Sequence, residues 1–227
     1  MIGVFDSGVG GLTALAELRR LLPSVDITYL ADRENAPYGT KSEEKILVCA
    51  ENCIKRLKEE GAEKILIACC TASTLFTRMS DDAKKIAFPI ISPAAKAAAE
   101  VSASGRIAVI ATKATVRSRA FTREIQSYRE ARLIEIEAQP LVAMVEGGAR
   151  DERALCSEDE AILESLLSPV RAFLADTLVL GCTHFSHLSE HISSRLEGVN
   201  IINPSIEGAA EMARTVENRG SGKTVFL

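Results

Sequence analysis

The chain has no tryptophan, and aromatic residues make up only 4% of its 227 positions. Stacking platforms for single-stranded nucleic acid are therefore poorly supplied, and the core has to be aliphatic. An excess of charge is also missing: Lys+Arg 27 against Asp+Glu 31 leaves a net −4, which argues against a nucleic acid partner. No apolar run approaches the roughly 20 residues that span a bilayer. The start, MIGVFDSG, lacks the basic opening and apolar stretch of a secretion signal, so a cytoplasmic protein with no membrane partner is expected. Six cysteines are too sparse for a disulfide scaffold in a chain of this length, and Cys69 and Cys70 are neighbours. Free thiols, metal ligands or catalysts are the remaining uses.

What is present is ordinary soluble material, 47% hydrophobic and 26% charged, enough for one large domain or two small ones with a proper core. Short aliphatic runs alternate with helical periodicity, the pattern of an α/β protein with parallel sheets. The expected strands are Ile2–Phe5, Ile27–Leu30, Ile65–Ile67, Ile90–Ile91, Ile107–Ile110, Leu133–Ile136, Leu178–Leu180 and Asn200–Ile202. The expected helices include 12–22, 43–59 and 158–173, with Pro169 a break in the last.

The chain also echoes itself. Ile65-Leu-Ile-Ala-Cys-Cys-Thr71 returns as Leu178-Val-Leu-Gly-Cys-Thr183, and Ile2-Gly-Val-Phe5 returns as Ile107-Ala-Val-Ile110 at nearly the same offset. This implies two similar doubly wound parallel-sheet domains. Ligands gather at the carboxyl ends of parallel strands, which places the site in the cleft between the halves. Residues 1–92 with 203–227 form the expected first domain, and 93–202 the second.

Four polar clusters lie at such strand ends. The loop Asp6-Ser-Gly-Val-Gly-Gly11 offers backbone N–H groups to an anion, yet lacks the Gly-Lys-Ser/Thr of a phosphate loop, and a tight turn without ligand explains it equally well. Asp6 adds an acid that would accept an ammonium or support a base. Cys49 and Cys53 lie within an amphipathic helix and read as core, whereas Cys69 and Cys182 each end a buried strand where the chain turns toward a helix. Cys70 alternates to the other side and reads as packing or as a second cleft thiol.

All three histidines fall in Cys182-Thr-His184-Phe-Ser-His187-Leu-Ser-Glu-His191. His184 is placed to exchange a proton with Cys182, while Cys182, His187 and His191 together would read as zinc ligands. Two opposed thiols suit a reaction that inverts a carbon centre, because one removes a proton from one face and the other delivers a proton to the opposite face.

On these residues the chain resembles the glutamate racemases of the cofactor-independent aspartate/glutamate racemase superfamily. The motifs are Ile2–Gly11, Ala36-Pro-Tyr-Gly39, Ala68-Cys-Cys-Thr-Ala-Ser73, Ala108–Thr115, Leu141–Gly148 and Gly181-Cys-Thr-His184. The resemblance implies interconversion of L- and D-glutamate for peptidoglycan, with no cofactor and no metal. It makes Cys182 the base toward L-glutamate and Cys69 the base toward D-glutamate, with Asp6 and His184 as helpers. Ser7, Pro37, Tyr38, Gly39, Cys70, Thr71, Thr115, Glu146 and Thr183 fall at substrate-binding positions. A homodimer is compatible with it.

Departures from the family pattern are equally specific. Cys70 stands where the family carries Asn, Gln139-Pro140 where it carries Cys-Pro, and Phe185-Ser186 where it carries Tyr-Pro. Losing one hydrogen bond to a charged group costs about 1.5–3 kcal/mol, so weaker binding, altered specificity or a compensating water is expected at Cys70. Three alternatives stay open: a racemase for aspartate or another amino acid, a zinc-dependent hydrolase or zinc-binding module on Cys182, His187 and His191, and a non-catalytic amino-acid-binding protein.

Overall fold

A computed structural model describes residues 1–227. It contains nine strands: β1 Ile2–Asp6, β2 Ile27–Ala31, β3 Lys64–Ile67, β4 Ala87–Pro89, β5 Arg106–Ala111, β6 Arg132–Glu137, β7 Thr177–Gly181, β8 Asn200–Ile202 and β9 Thr224–Phe226. They make two parallel sheets, ordered β4-β3-β1-β2-β9 and β6-β5-β7-β8. Read from the other edge, the second sheet runs β8-β7-β5-β6, the same order as β4-β3-β1-β2 in the first. The two echoes in the sequence thus mark the same neighbours, since β1 pairs with β3 as β5 pairs with β7.

Side-chain alternation sorts each sheet onto two faces. Ile2 and Val4 of β1, Ile107 and Val109 of β5, and Val179 of β7 point into one shared core, with the helices Leu12–Leu21, Ile91–Val101 and Pro204–Arg214. Phe5, Ile65 and Ile67 face the other way, onto the helix Glu43–Glu59. Ala108, Ile110, Leu178 and Leu180 pack against the helices Gln139–Glu146 and Ser157–Ala172.

Two local expectations are corrected. Ile90 and Ile91 are not a strand: β4 is Ala87–Pro89, and Ile91 opens a helix. A short buried apolar pair has no periodicity to tell the two apart, and Pro93 falls in the first turn, where a missing N–H costs nothing. Pro169 does not break its helix, which runs through it to Ala172. The proline sits in the last turn, while Leu163, Leu167 and Val170 hold that helix against the core. The strand near Ile201 pairs with β7 in the second sheet; the chain then returns through Pro204–Arg214 to β9, which pairs with β2. No helix is long and apolar enough to cross a membrane.

Candidate active site

Strand ends build the site. β3 stops at Ile67, and Cys69 precedes a single helical turn, Cys70–Ser73. β7 stops at Gly181, and Cys182 precedes the turn Thr183–Leu188. Both thiols, with Cys70, line one narrow cleft with Ser7, Pro37, Glu146, Thr183 and His184. Its free volume is about 30 Å³, room for a couple of waters.

Each thiol has a polar companion from its own half. Cys69 Sγ donates to Ser7 Oγ at 3.4 Å, and Cys182 Sγ lies 3.7 Å from His184 Nδ1. His184 Nε2 stands 3.6 Å from Glu146 Oε1, within ion-pair reach yet too long for a hydrogen bond, so this buried nitrogen has no hydrogen-bond partner. Asp6 is fully buried behind the wall; Oδ2 accepts from Gly8 N at 2.9 Å and Oδ1 from Thr183 Oγ1 at 3.3 Å, across the two halves. Burial pushes the Cys69 thiol up to about 11, with the Asp6 charge adding to it. Burial also raises Cys182, and the charges of Cys69, Asp6 and Glu146 act in the same direction. Both thiols rest protonated at neutral pH, and an ionised Cys69 would further oppose ionisation of Cys182.

Glycine has a defined purpose here. A Cβ on Gly10 would overlap Thr183 Oγ1 and come within 2.9 Å of His184 N and Nδ1. The glycine-rich loop lets one half press onto the other.

Several expected site residues lie off the wall. Tyr38 is buried among the core residues of the first half, its ring centroid 6.2 Å from that of Phe5 and its hydroxyl donating to Asp32 Oδ2 at 2.5 Å. A buried hydroxyl requires an acceptor, and Asp32 supplies it away from the cleft. Gly39 meets the second half instead, its missing Cβ leaving space for Gln139 Oε1 and Thr112. Thr71 and Thr115 sit one layer back in a buried hydroxyl triangle with Thr112, at 2.9–3.2 Å, that spans the halves.

The sequence reading missed Gly8, Ala36, Thr112, Gln139 and Val142, all on the wall. Gln139, Val142 and Glu146 share one face of a helix at steps of three and four, a signal open to periodicity. Thr112 follows β5 at a strand end. The proposed zinc ligands do not assemble: His191 Nε2 faces the carbonyls of Arg150 and Arg153 at 3.1 and 3.0 Å, and no three ligand-type side chains cluster anywhere.

The family model for Asp/Glu/hydantoin racemases matches residues 11–212. A glutamate racemase of Aquifex aeolicus is 36% identical over 225 residues, covering 97% of this chain and 85% of that protein. The crystal structure of a glutamate racemase isoform from Bacillus anthracis superposes with a TM-score of 0.88 at 28% identity, covering 100% of this chain and 86% of its own. The glutamate racemase of Francisella tularensis, solved in complex with D-glutamate, gives a TM-score of 0.85 at 28% identity, over 99% and 86% of the two chains.

Proposed function

The chain belongs to the Asp/Glu/hydantoin racemase family, and we propose that it interconverts L- and D-glutamate by a cofactor-independent, two-thiol reaction. The observation that carries this reading is the placement of Cys69 and Cys182 at equivalent strand ends of two repeated sheets, lining one cleft. The D-glutamate formed supplies peptidoglycan, work that belongs in the cytoplasm.

In the direction from L-glutamate, Cys182 as thiolate takes the α-proton while Cys69 gives its proton to the opposite face. The reverse direction exchanges the two roles. The resting thiols are hard to ionise, so a further charge has to favour the thiolate. The substrate's ammonium provides it, since an opposite charge within a few ångström stabilises the ionised form. His184 receives the proton from Cys182, and Asp6, held by Gly8 and Thr183, offsets the ammonium. After one turnover the enzyme carries its proton on the other sulfur, and exchange with solvent resets it.

The test is formation of D-glutamate from L-glutamate with chelator present and no added cofactor, followed by chiral chromatography, with aspartate run in parallel. Cys69→Ser and Cys182→Ser are each expected to lower the rate roughly 10²- to 10⁴-fold, the range of one acid-base group. Full activity in either variant overturns the assignment.

A further inference from the structure

Gln139 has a side-chain carboxamide on the cleft wall with nothing to bond. Its Oε1 is buried without a hydrogen-bond partner. Such a group costs about 1–3 kcal/mol unless a partner arrives. The second unpartnered buried atom on this wall, His184 Nε2, stands beside Glu146, two helical turns from Gln139 and so about 10 Å along the helix axis. The cleft therefore has two ends. Asp6, Glu146 and His184 mark an acidic end near Thr183. Gln139 marks the other, between Gly39 and Thr112, where the hydroxyls of Thr71, Thr112 and Thr115 gather.

We propose that Gln139 is a substrate-binding residue that selects side-chain chemistry, donating from Nε2 to the distal carboxylate of the amino acid. The two ends of a carboxamide have nearly the same shape, and its rotation brings N–H to the position the oxygen now takes. The acidic end holds the ammonium, the thiols flank the α-carbon between, and the carboxamide reads what lies beyond. Cys70 contributes only a weak donor to the same wall. This assignment rests on the racemase reading, and the two are separated by measuring binding as well as turnover.

The experiment compares wild type with Gln139→Met and Gln139→Glu, each checked for an unchanged melting temperature. Calorimetric Kd and steady-state kcat and KM are measured for glutamate, and Kd for glutamine. Gln139→Met is expected to weaken glutamate binding about 10- to 100-fold, the value of one hydrogen bond to a charged group, and to leave kcat within about twofold, as for binding shared by ground and transition states. Gln139→Glu is expected to weaken glutamate further by like-charge repulsion and to shift preference toward neutral glutamine. Unchanged glutamate affinity in both variants, or a fall in kcat with Kd intact, overturns the role of Gln139. Wild type that binds glutamate without racemising it overturns the racemase reading, and Gln139 is then judged on Kd alone. Wild type that binds no glutamate overturns both.

Discussion

Beside Cys182, His184 Nδ1 stands 3.7 Å from the sulfur. His184 is expected to shuttle its proton, so His184→Asn should lower kcat/KM roughly 10²- to 10⁴-fold. Enantiomers have equal free energy, which forces the same factor in both directions. The directions part in their isotope effects. With the Cys182 step slowed, the effect for α-deuterated L-glutamate grows and that for α-deuterated D-glutamate shrinks. Equal isotope effects in both directions would detach His184 from Cys182. Buried thiols also set a limit at high pH. Burial raises Cys53 to about 12 and Cys69 to about 11, and lifts Cys70 and Cys182 as well. In the fold these groups stay neutral, while in the unfolded chain they ionise near their ordinary 9.0. Their contribution is whole below that value and is lost as pH rises through the folded values. The melting temperature should hold level to about pH 8.5 and fall between about pH 9 and 11, more gently in Cys53→Ala. The same decline in that variant would remove the thiol from the explanation.

Among the elements, the turn between β1 and the helix Leu12–Leu21 carries the most consequence for its length. Gly10→Ala places a methyl against Thr183 and His184. It should wedge the halves apart, lowering racemisation at least about 100-fold by misplacing the catalytic groups, with a smaller fall in melting temperature; unchanged activity would show that the loop yields freely. This contact joins distant parts of the chain, so from sequence the loop holding Gly10 read as an anion-facing turn or a plain tight turn, and not as a contact between the halves. Long periodic elements were readable: the helix expected at 43–59 is Glu43–Glu59. Short ones were not. Ile90–Ile91 carries the same apolar signal as a strand, and β9 is only Thr224–Phe226, an edge that exists because β2 lies beside it. Cys69 and Cys182 were legible because a repeated strand end puts the same residue type in the same place twice. Gln139 and Thr112 were not, because their significance comes from packing against Gly39 of the other half.

On the scale of the whole molecule, duplication matches the reaction. Two sheets of like order present Cys69 and Cys182 at equivalent strand ends, and the substrate's two mirror forms differ only in which face of the α-carbon carries the hydrogen. The hydroxyl triangle of Thr71, Thr112 and Thr115, together with the Asp6–Thr183 bond, ties the two halves together beside the cleft. The central claim is that two sulfurs flank one carbon, and turnover of L-glutamate in heavy water tests it most directly. From the earliest time points, D-glutamate should carry deuterium at Cα while the remaining L-glutamate keeps protium. Early D-glutamate that retains protium, or L-glutamate that exchanges as fast as product forms, would mean a single base serving both faces.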